Sequence, residues 1–383
     1  MAHIVLNALS LRPGGGLQVA QALLHGMSHS ETGHRYTVLC SDPTSIGVLT
    51  KAFANTSDIE VINPVGRTNN MVLFVWQMTQ LATTLKGLRA DVMIGLNHHF
   101  PSGRVPQIVY HVNVLRFDRP ARGIVQPGEV ADRLRDWRAR RALTRAAANV
   151  MESGYLFDLA ARKQGAINDP SVVYIGQRSG QVEQATRHRI DGPQTLLALT
   201  SAQPHKDNPT LIHTLAELVR LRPQVDWRLE IAGGKGKVSF ADLVALSDTL
   251  GVSDRVAFLG FQDHAMLAER AAAAVCLIST SRVESFSMVS LEAMSWACPP
   301  VVCDATSMPE SIGDAGLLAQ PGDAAGFARQ VLRLYEQPDL RKGLISSGAR
   351  HLAGLTWQSA GAAFLSLVKN NVCAVDGHSD TGK

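Results

Sequence analysis

Short apolar runs recur along this chain, and between them lie longer stretches whose apolar residues fall at helical spacing. The first run is Ile4-Val5-Leu6-Asn7-Ala8-Leu9. Gly14-Gly15-Gly16 breaks it, and from Gln18 to Met27 the apolar Val19, Leu23 and Leu24 mark one face of a helix. Tyr36–Cys40, Ile59–Ile62, Val92–Leu96, Gln107–Val112 and Asn149–Glu152 are the next strand candidates, most of them separated by helical patterns. Strands alternating with helices predict parallel βαβ units with both faces of the sheet covered.

The pattern lapses from Gln177 to Gln194. That stretch is polar, with Arg178, Arg187, His188, Arg189 and Asp191 beside Gly180 and Gly192-Pro193, and it reads as a connection between domains. The alternation then resumes with strands at Thr195–Thr200, Arg228–Ala232, Arg255–Leu259, Ala274–Ser279 and Pro300–Cys303. The organisation expected is a first α/β domain over 1–176, a second over 177–355, a helix over 356–372 and a polar, disordered tail over 373–383. A chain of 383 residues suits two domains of this size.

Composition narrows the function. With 45% hydrophobic and 18% charged residues the chain reads as an ordinary soluble protein. A 5% aromatic share and a net charge of +4 give no ground for a nucleic-acid partner. The five scattered cysteines form no Cys-x-x-Cys pair, which argues against a disulfide framework or a zinc site and for a reducing cytoplasm. No secretory signal and no apolar run of about 18 residues is visible.

The chemistry concentrates between Ile278 and Asp323. A strand ends at Ser279, a loop carries Arg282 and Glu284-Ser285-Phe286, and a helix starts near Ser287, a good N-cap residue, and runs from Met288 to Ala297. A helix N-terminus at the carboxyl end of a parallel strand is an anion site suited to a diphosphate. Glu284 precedes that helix and Glu292 lies within it. Carboxylates there suit vicinal sugar hydroxyls better than phosphate. Two glutamates alone are compatible with chance; their strand–loop–helix setting carries the functional reading.

The segment Glu284-Ser-Phe-Ser-Met-Val-Ser-Leu-Glu292-Ala-Met resembles the two-glutamate motif of family 4 retaining glycosyltransferases (glycosyltransferase group 1). Pro300-Val-Val-Cys-Asp304, Pro309-Glu310 and Gly313-Asp314-Ala315-Gly316-Leu317 continue the resemblance in register. The resemblance implies a GT-B architecture, two Rossmann-like parallel-sheet domains facing across a cleft, with the final helix, about Thr356-Trp357 to Asn370, crossing back to the first domain. It places Glu292 on the donor ribose and Glu284 against the donor sugar. The backbone amides of Phe286, Ser287, Met288 and Val289 fall on the distal phosphate, with the small Ser285 beside them.

Further positions follow from the same resemblance. Pro204-His205-Lys206-Asp207-Asn208 matches the loop in which the family carries an Arg and, five residues later, a Lys on the donor diphosphate. Lys206 fits the Lys, but Ser201 stands at the Arg position; Arg282 or a residue of the first domain is a candidate replacement. Gly15 and Gly16 match the glycine-rich loop near the donor sugar, and His111 matches a strand-end histidine whose backbone or ring faces that sugar. Gly233 lies in a loop lining the donor site, and Gly260 and Phe261 lie where the base packs. On their own, a glycine triplet, a strand-end histidine and a loop lysine are all ordinary structural features. His98-His99 lacks a third metal ligand, no Asp-x-Asp triplet is present, and no metal or cofactor beyond the donor is expected.

Between Arg116 and Arg145 nine arginines face four acids, a surplus of +5. The helical stretch from Val130 to Ala147 also carries Leu134, Trp137 and Leu143. A basic helix with a tryptophan suggests contact with an anionic membrane surface; the plainer alternatives are a solvated face or arginines for an anionic acceptor. The expectation is a metal-independent retaining hexosyltransferase. It uses a nucleotide-sugar, leaning to GDP-mannose, on a glycan or lipid-linked acceptor of surface polysaccharide assembly, on the inner face of the cell membrane. A nucleotide-sugar epimerase of the same fold and a non-catalytic sugar-binding relative remain the alternatives.

Overall fold

The structure is a computed structural model, and it describes every residue except 32, 67–68, 119–129, 178–191, 235–239 and 378–383; the side chains of 130–132 and 373–377 are also left undescribed. The connection expected after Gln177, Arg119, Arg122, Glu129, Lys235, Gly236 and most of the polar tail therefore lie outside the described residues. Two units are present. Of the described residues, the first comprises those within 1–118, 130–176 and 355–377, and the second those within 177–354.

The first unit contains β1 (His3–Asn7), α1 (Gly15–Ser30), β2 (Arg35–Leu39), α2 (Pro43–Ala52), β3 (Ile59–Ile62), α3 (Asn70–Thr79), α4 (Leu81–Leu88), β4 (Val92–Leu96), β5 (Gln107–His111), α5 (Val130–Arg145), β6 (Ala148–Met151), α6 (Gly154–Gln164) and β7 (Pro170–Val172). Its strands form one sheet in the order β3-β2-β1-β4-β5-β6-β7, every pairing parallel. β1 and β5 are buried along their whole length, as a sheet covered on both faces requires.

The second unit contains β8 (Gln194–Leu199), α7 (Asn208–Leu221), β9 (Trp227–Ala232), α8 (Ala241–Thr249), β10 (Val256–Gly260), α9 (His264–Ala273), β11 (Cys276–Ser279), α10 (Met288–Ser295), β12 (Pro300–Cys303), α11 (Met308–Ile312), β13 (Leu317–Ala319), α12 (Ala324–Glu336) and α13 (Pro338–Ala353). Its parallel sheet runs β10-β9-β8-β11-β12-β13 around a core that includes Leu215, Trp227, Ile231, Ile278 and Phe327. In both sheets the strand order reverses beside the first strand of the unit, between β1 and β4 and between β8 and β11. The loops leaving the carboxyl ends of such a strand pair diverge and open a crevice, the usual ligand position in doubly wound folds.

Three details differ from the sequence expectation. α1 begins at Gly15, so Gly15 and Gly16 belong to its first turn rather than to a loop. β7 and β13 were not anticipated, being edge strands of three residues each, too short to show a pattern. The final helix, α14 (Trp357–Gly377), is longer than expected and packs along α1. A Cβ on Gly26 would lie 1.9 Å from the carbonyl oxygen of Trp357, and one on Gly361 would lie 2.3 Å from the carbonyl carbon of Gly26. These two glycines let the helix backbones touch. Among the described residues no helix is long and apolar enough to cross a membrane.

Candidate functional site

The crevice between β8 and β11 gathers the residues singled out in the second unit. After β8, a short helical turn at Pro204–Lys206 leads into α7; after β11, the chain runs through Thr280–Phe286 into α10. Thr280, almost fully buried, fastens the two loops together: its hydroxyl donates to the carbonyls of Lys206 and Asp207, at 2.9 and 3.0 Å. Across this junction the Lys206 ammonium donates to Glu284 Oε1 at 2.6 Å. Both side chains keep about a fifth of their surface exposed, 22% and 21%. The pair is therefore formed yet open to a ligand.

The backbone of Glu284 is held on both sides by the loop after β12. Its amide donates to Thr306 Oγ1 at 3.0 Å and its carbonyl accepts from Ser307 Oγ at 2.9 Å. Thr306 has a φ of 50°, in the left-handed region that a β-branched residue rarely occupies. Such strain persists only where surrounding contacts fix it.

Ser287 caps α10, its hydroxyl accepting from the Ser290 amide at 3.2 Å. Its own amide donates to Ser311 Oγ at 3.0 Å, and the residue is buried. That is a correction: the Ser287 amide, expected on the distal phosphate, is occupied within the fold. Phe286 is also buried, whereas Ser285, Met288, Val289 and Glu292 are half-buried. Met288 and Val289 occupy the first two helical positions, whose amides no helical carbonyl can meet, so these two are the donors α10 offers to an anion.

Arg282, a candidate replacement for the arginine missing at Ser201, is engaged within the second unit. Its guanidinium is held by Asp207, with Nε 2.8 Å from Oδ2, so its charge is already opposed. Gly233 closes the neighbouring corner: its φ is 144°, its amide donates to the Gly260 carbonyl at 2.8 Å, and a Cβ there would lie 1.7 Å from the Thr200 carbonyl oxygen. Only glycine fits. Gly260 also has a positive φ, 67°, and Phe261 beyond it is 86% exposed, an aromatic face presented to solvent.

In the first unit His111 departs from expectation. It is fully buried, its Nε2 is 3.0 Å from Asn149 Oδ1, and its ring meets Phe117 edge-on. Its carbonyl accepts from the Glu152 amide. Burial pushes its pKa down to about 4, against a smaller opposing effect of Asn149. The ring is a neutral core group that reaches no open space, so the catalytic role assigned to it is withdrawn. Gly15 and Gly16 lie at the start of α1, where a Cβ on Gly15 would meet nothing and one on Gly16 would press on Leu11 at 3.3 Å.

The arginine-rich segment divides into an inner and an outer set. Arg116 pairs with Asp136 at 3.3 Å, both largely buried. Arg138 is buried, its guanidinium carbon 3.8 Å from the centre of the Phe100 ring and 4.9 Å from that of Phe74. Leu143 is in the core. Arg133, Arg135, Arg141 and Arg145 are exposed, as are Leu134 and Trp137. A feature the sequence reading missed adjoins them: α3 exposes Met71, Val72, Val75 and Met78. The signal was its run of apolar residues on every face.

The whole chain has the architecture of known GT-B glycosyltransferases. HepE of Anabaena, solved in complex with UDP, superposes with a TM-score of 0.74 at 17% identity, covering 97% of this chain and 100% of that one. The lipopolysaccharide outer core galactosyltransferase WaaB gives 0.69 at 18% identity, covering 97% and 99%. By sequence, residues 193–337, the larger part of the second unit, match the family model described as glycosyl transferases group 1. Among curated relatives, D-inositol 3-phosphate glycosyltransferase of Frankia alni is 31% identical over 232 residues, 57% of this chain and 56% of the relative. N-acetyl-alpha-D-glucosaminyl L-malate synthase of Bacillus anthracis is 30% identical over 156 residues, 40% of this chain and 39% of the relative. The chain thus spans about half the length, or less, of the curated relatives it matches.

Proposed function

We propose that this protein transfers a hexose from a nucleoside diphosphate sugar to an acceptor hydroxyl, with retention of configuration and without a metal ion. The observation that carries the reading is the Lys206–Glu284 pair at the β8/β11 crevice, beside the N-terminus of α10. A cation and helix amides suit the leaving diphosphate, and a carboxylate suits the sugar whose bond breaks. Glu292, one face further along α10, holds the ribose. No covalent nucleophile is called for: the leaving phosphate takes the acceptor proton on the face where the bond breaks.

The finer assignment is a glycan or lipid-linked acceptor in polysaccharide or glycolipid assembly, reached from the cytoplasmic side of the membrane. Exposed Leu134 and Trp137 among exposed arginines, together with the apolar face of α3, support a membrane contact. The lean to GDP-mannose rests on the wording of the motifs alone, since the relatives' names point to inositol phosphate and to malate and neither contains mannose.

A panel of nucleotide-sugars tested by thermal shift identifies the donor, because a ligand at 100 times its dissociation constant stabilises by about 2.7 kcal/mol. With that donor, free nucleoside diphosphate should appear in quantity only when acceptor is added, and EDTA should leave the rate within about twofold. Interconversion of the sugar without acceptor would identify an epimerase instead. A rate that collapses in EDTA and returns with manganese would refute the metal-independent chemistry.

A further inference from the structure

Between β11 and α10 the chain forms neither strand nor helix, yet this is where it carries Glu284. The first half of the stretch is tied to the loop after β8. The Thr280 hydroxyl reaches the Lys206 and Asp207 carbonyls, and the Arg282 amide donates to the His205 carbonyl at 2.8 Å. The second half hangs from the chain after β12 by the hydroxyls of Thr306, Ser307 and Ser311. Thr306 Oγ1 accepts from the Glu284 amide at 3.0 Å, Ser307 Oγ donates to the Glu284 carbonyl at 2.9 Å, and Ser311 Oγ accepts from the Ser287 amide at 3.0 Å. Ser311 in turn donates to the Ser307 carbonyl at 2.8 Å, which makes the brace continuous.

Two features tie this grip to the placement of Glu284. Ser307 and Ser311 are fully buried, so water cannot take the place of a lost hydroxyl. Thr306 holds a φ of 50°, a conformation that glycine adopts freely and a β-branched residue rarely does. A strained threonine, where glycine would sit unstrained, is accounted for by the Glu284 amide that its hydroxyl holds. The far end of the same side chain is fixed separately, by Lys206 Nζ on Oε1 at 2.6 Å. The backbone of Glu284 is thus set from the β12 side and its carboxylate from the β8 side.

We infer that Thr306 and Ser307 are positioning residues for the proposed transfer: by holding the amide and the carbonyl of Glu284 they set where its carboxylate stands against the donor sugar. The inference rests on the reading of Glu284 as the group at the reacting centre. Both residues act through Glu284 and not on the donor. A displacement of about 1 Å at a reacting group costs about 100-fold in rate, so the loss of one tie, with the other left in place, should cost about tenfold.

The test follows the slow release of nucleoside diphosphate from UDP-glucose and from GDP-mannose, with water in place of the acceptor. The bond from the anomeric carbon to the phosphate oxygen breaks, the water oxygen bonds to that carbon, and its proton passes to the leaving phosphate. Thr306→Val keeps the shape and removes the hydroxyl; it should lower kcat about tenfold and leave the donor KM within about twofold. Thr306→Ser keeps the hydroxyl and should hold kcat within about twofold of wild type. Thr306→Gly should be as slow as Thr306→Val yet melt no lower than it, because glycine relieves the strain. In a Glu284→Gln background Thr306→Val should slow release by less than about twofold, since the carboxylate it positions is gone. An undiminished loss in that background would make Thr306 a general structural residue and overturn the inference. A normal kcat in Thr306→Val beside a slow Glu284→Gln would overturn the inference alone, whereas a normal kcat in Glu284→Gln would remove the transfer reading of Glu284 as well. Hydrogen exchange needs no substrate: the amides of 284–287 should exchange about tenfold faster in Thr306→Val and in Ser307→Ala than in wild type. Should Ser307→Ala fail to fold, Thr306→Val, at a half-buried position, carries this arm by itself. Where neither donor is turned over, exchange decides: faster exchange keeps the grip on Glu284, and unchanged exchange refutes it.

Discussion

Lys206 and Glu284 lie 78 positions apart in the chain and 2.6 Å apart in space. The contact is partly solvated, and ion pairs of that kind add at most about 1 kcal/mol to stability. We expect Lys206→Met and Glu284→Gln each to leave the melting temperature nearly unchanged while lowering kcat/KM by about 100-fold or more. In a double-mutant cycle the coupling should be small in stability and larger in turnover, about 0.5–3 kcal/mol. Equal coupling in both would make the pair a structural clip.

The two glutamates should fail in different ways. Glu292→Gln loses charge-assisted hydrogen bonds to a part of the donor that does not react, worth about 1.5–3 kcal/mol. That loss should appear as a higher donor KM at nearly constant kcat. Glu284→Gln should lower kcat strongly, while donor affinity measured by calorimetry stays within about a few fold. An unaffected kcat in Glu284→Gln would remove Glu284 from the reacting centre.

Three histidines of the first unit give the protein an acid limb. Burial pushes His111 to about 4, His98 to about 3 and His99 to about 4, with nearby arginines adding to the last two. In the unfolded chain each titrates near about 6.5. Between that value and the folded one the unfolded chain binds protons that the native state refuses, so the stabilisation is complete above pH ~6.5 and is lost as pH falls toward about 4. Urea unfolding from pH 7 to 4.5 should show this decline, each histidine adding up to about 1.4 kcal/mol per pH unit. His111→Gln should flatten the slope by one proton; an unchanged slope would place the lost protons elsewhere.

Membrane contact makes a separate prediction. Changing the exposed Arg133, Arg141 and Arg145 together to Ser should weaken binding to anionic liposomes by about 100-fold, at about 1 kcal/mol per charge, and leave neutral liposomes unaffected. Wild-type binding should itself weaken as salt rises. Indifference to salt and to the triple change would leave those arginines as solvated charges.

What was legible followed the range of the signal. Glu284, the Ser287 cap and Glu292 sit on one contiguous strand–loop–helix, so local spacing was enough to place them. The Lys206–Glu284 pair joins two loops distant in sequence, and only the strand order β8-β11 brings them together. The charge count over Arg116–Arg145 registered a basic segment but could not tell that Arg138 turns inward to Phe74 and Phe100 while Arg141 turns out over Trp137. His111 was misread for a similar reason: a strand-end histidine looks the same in sequence whether its ring meets solvent or, as here, Asn149.

The seating of α14 on α1 bears on how the protein is made. Gly26 and Gly361 bring the two backbones together, yet α14 follows the whole second unit in the chain. On a ribosome adding about 5–20 residues per second, the apolar face of α1 waits uncovered until the second unit has emerged. The nascent first unit is thus an unfinished body with a vacant seat. A ribosome stalled just before Trp357 should hold a second unit already resistant to protease and a first unit still open to it.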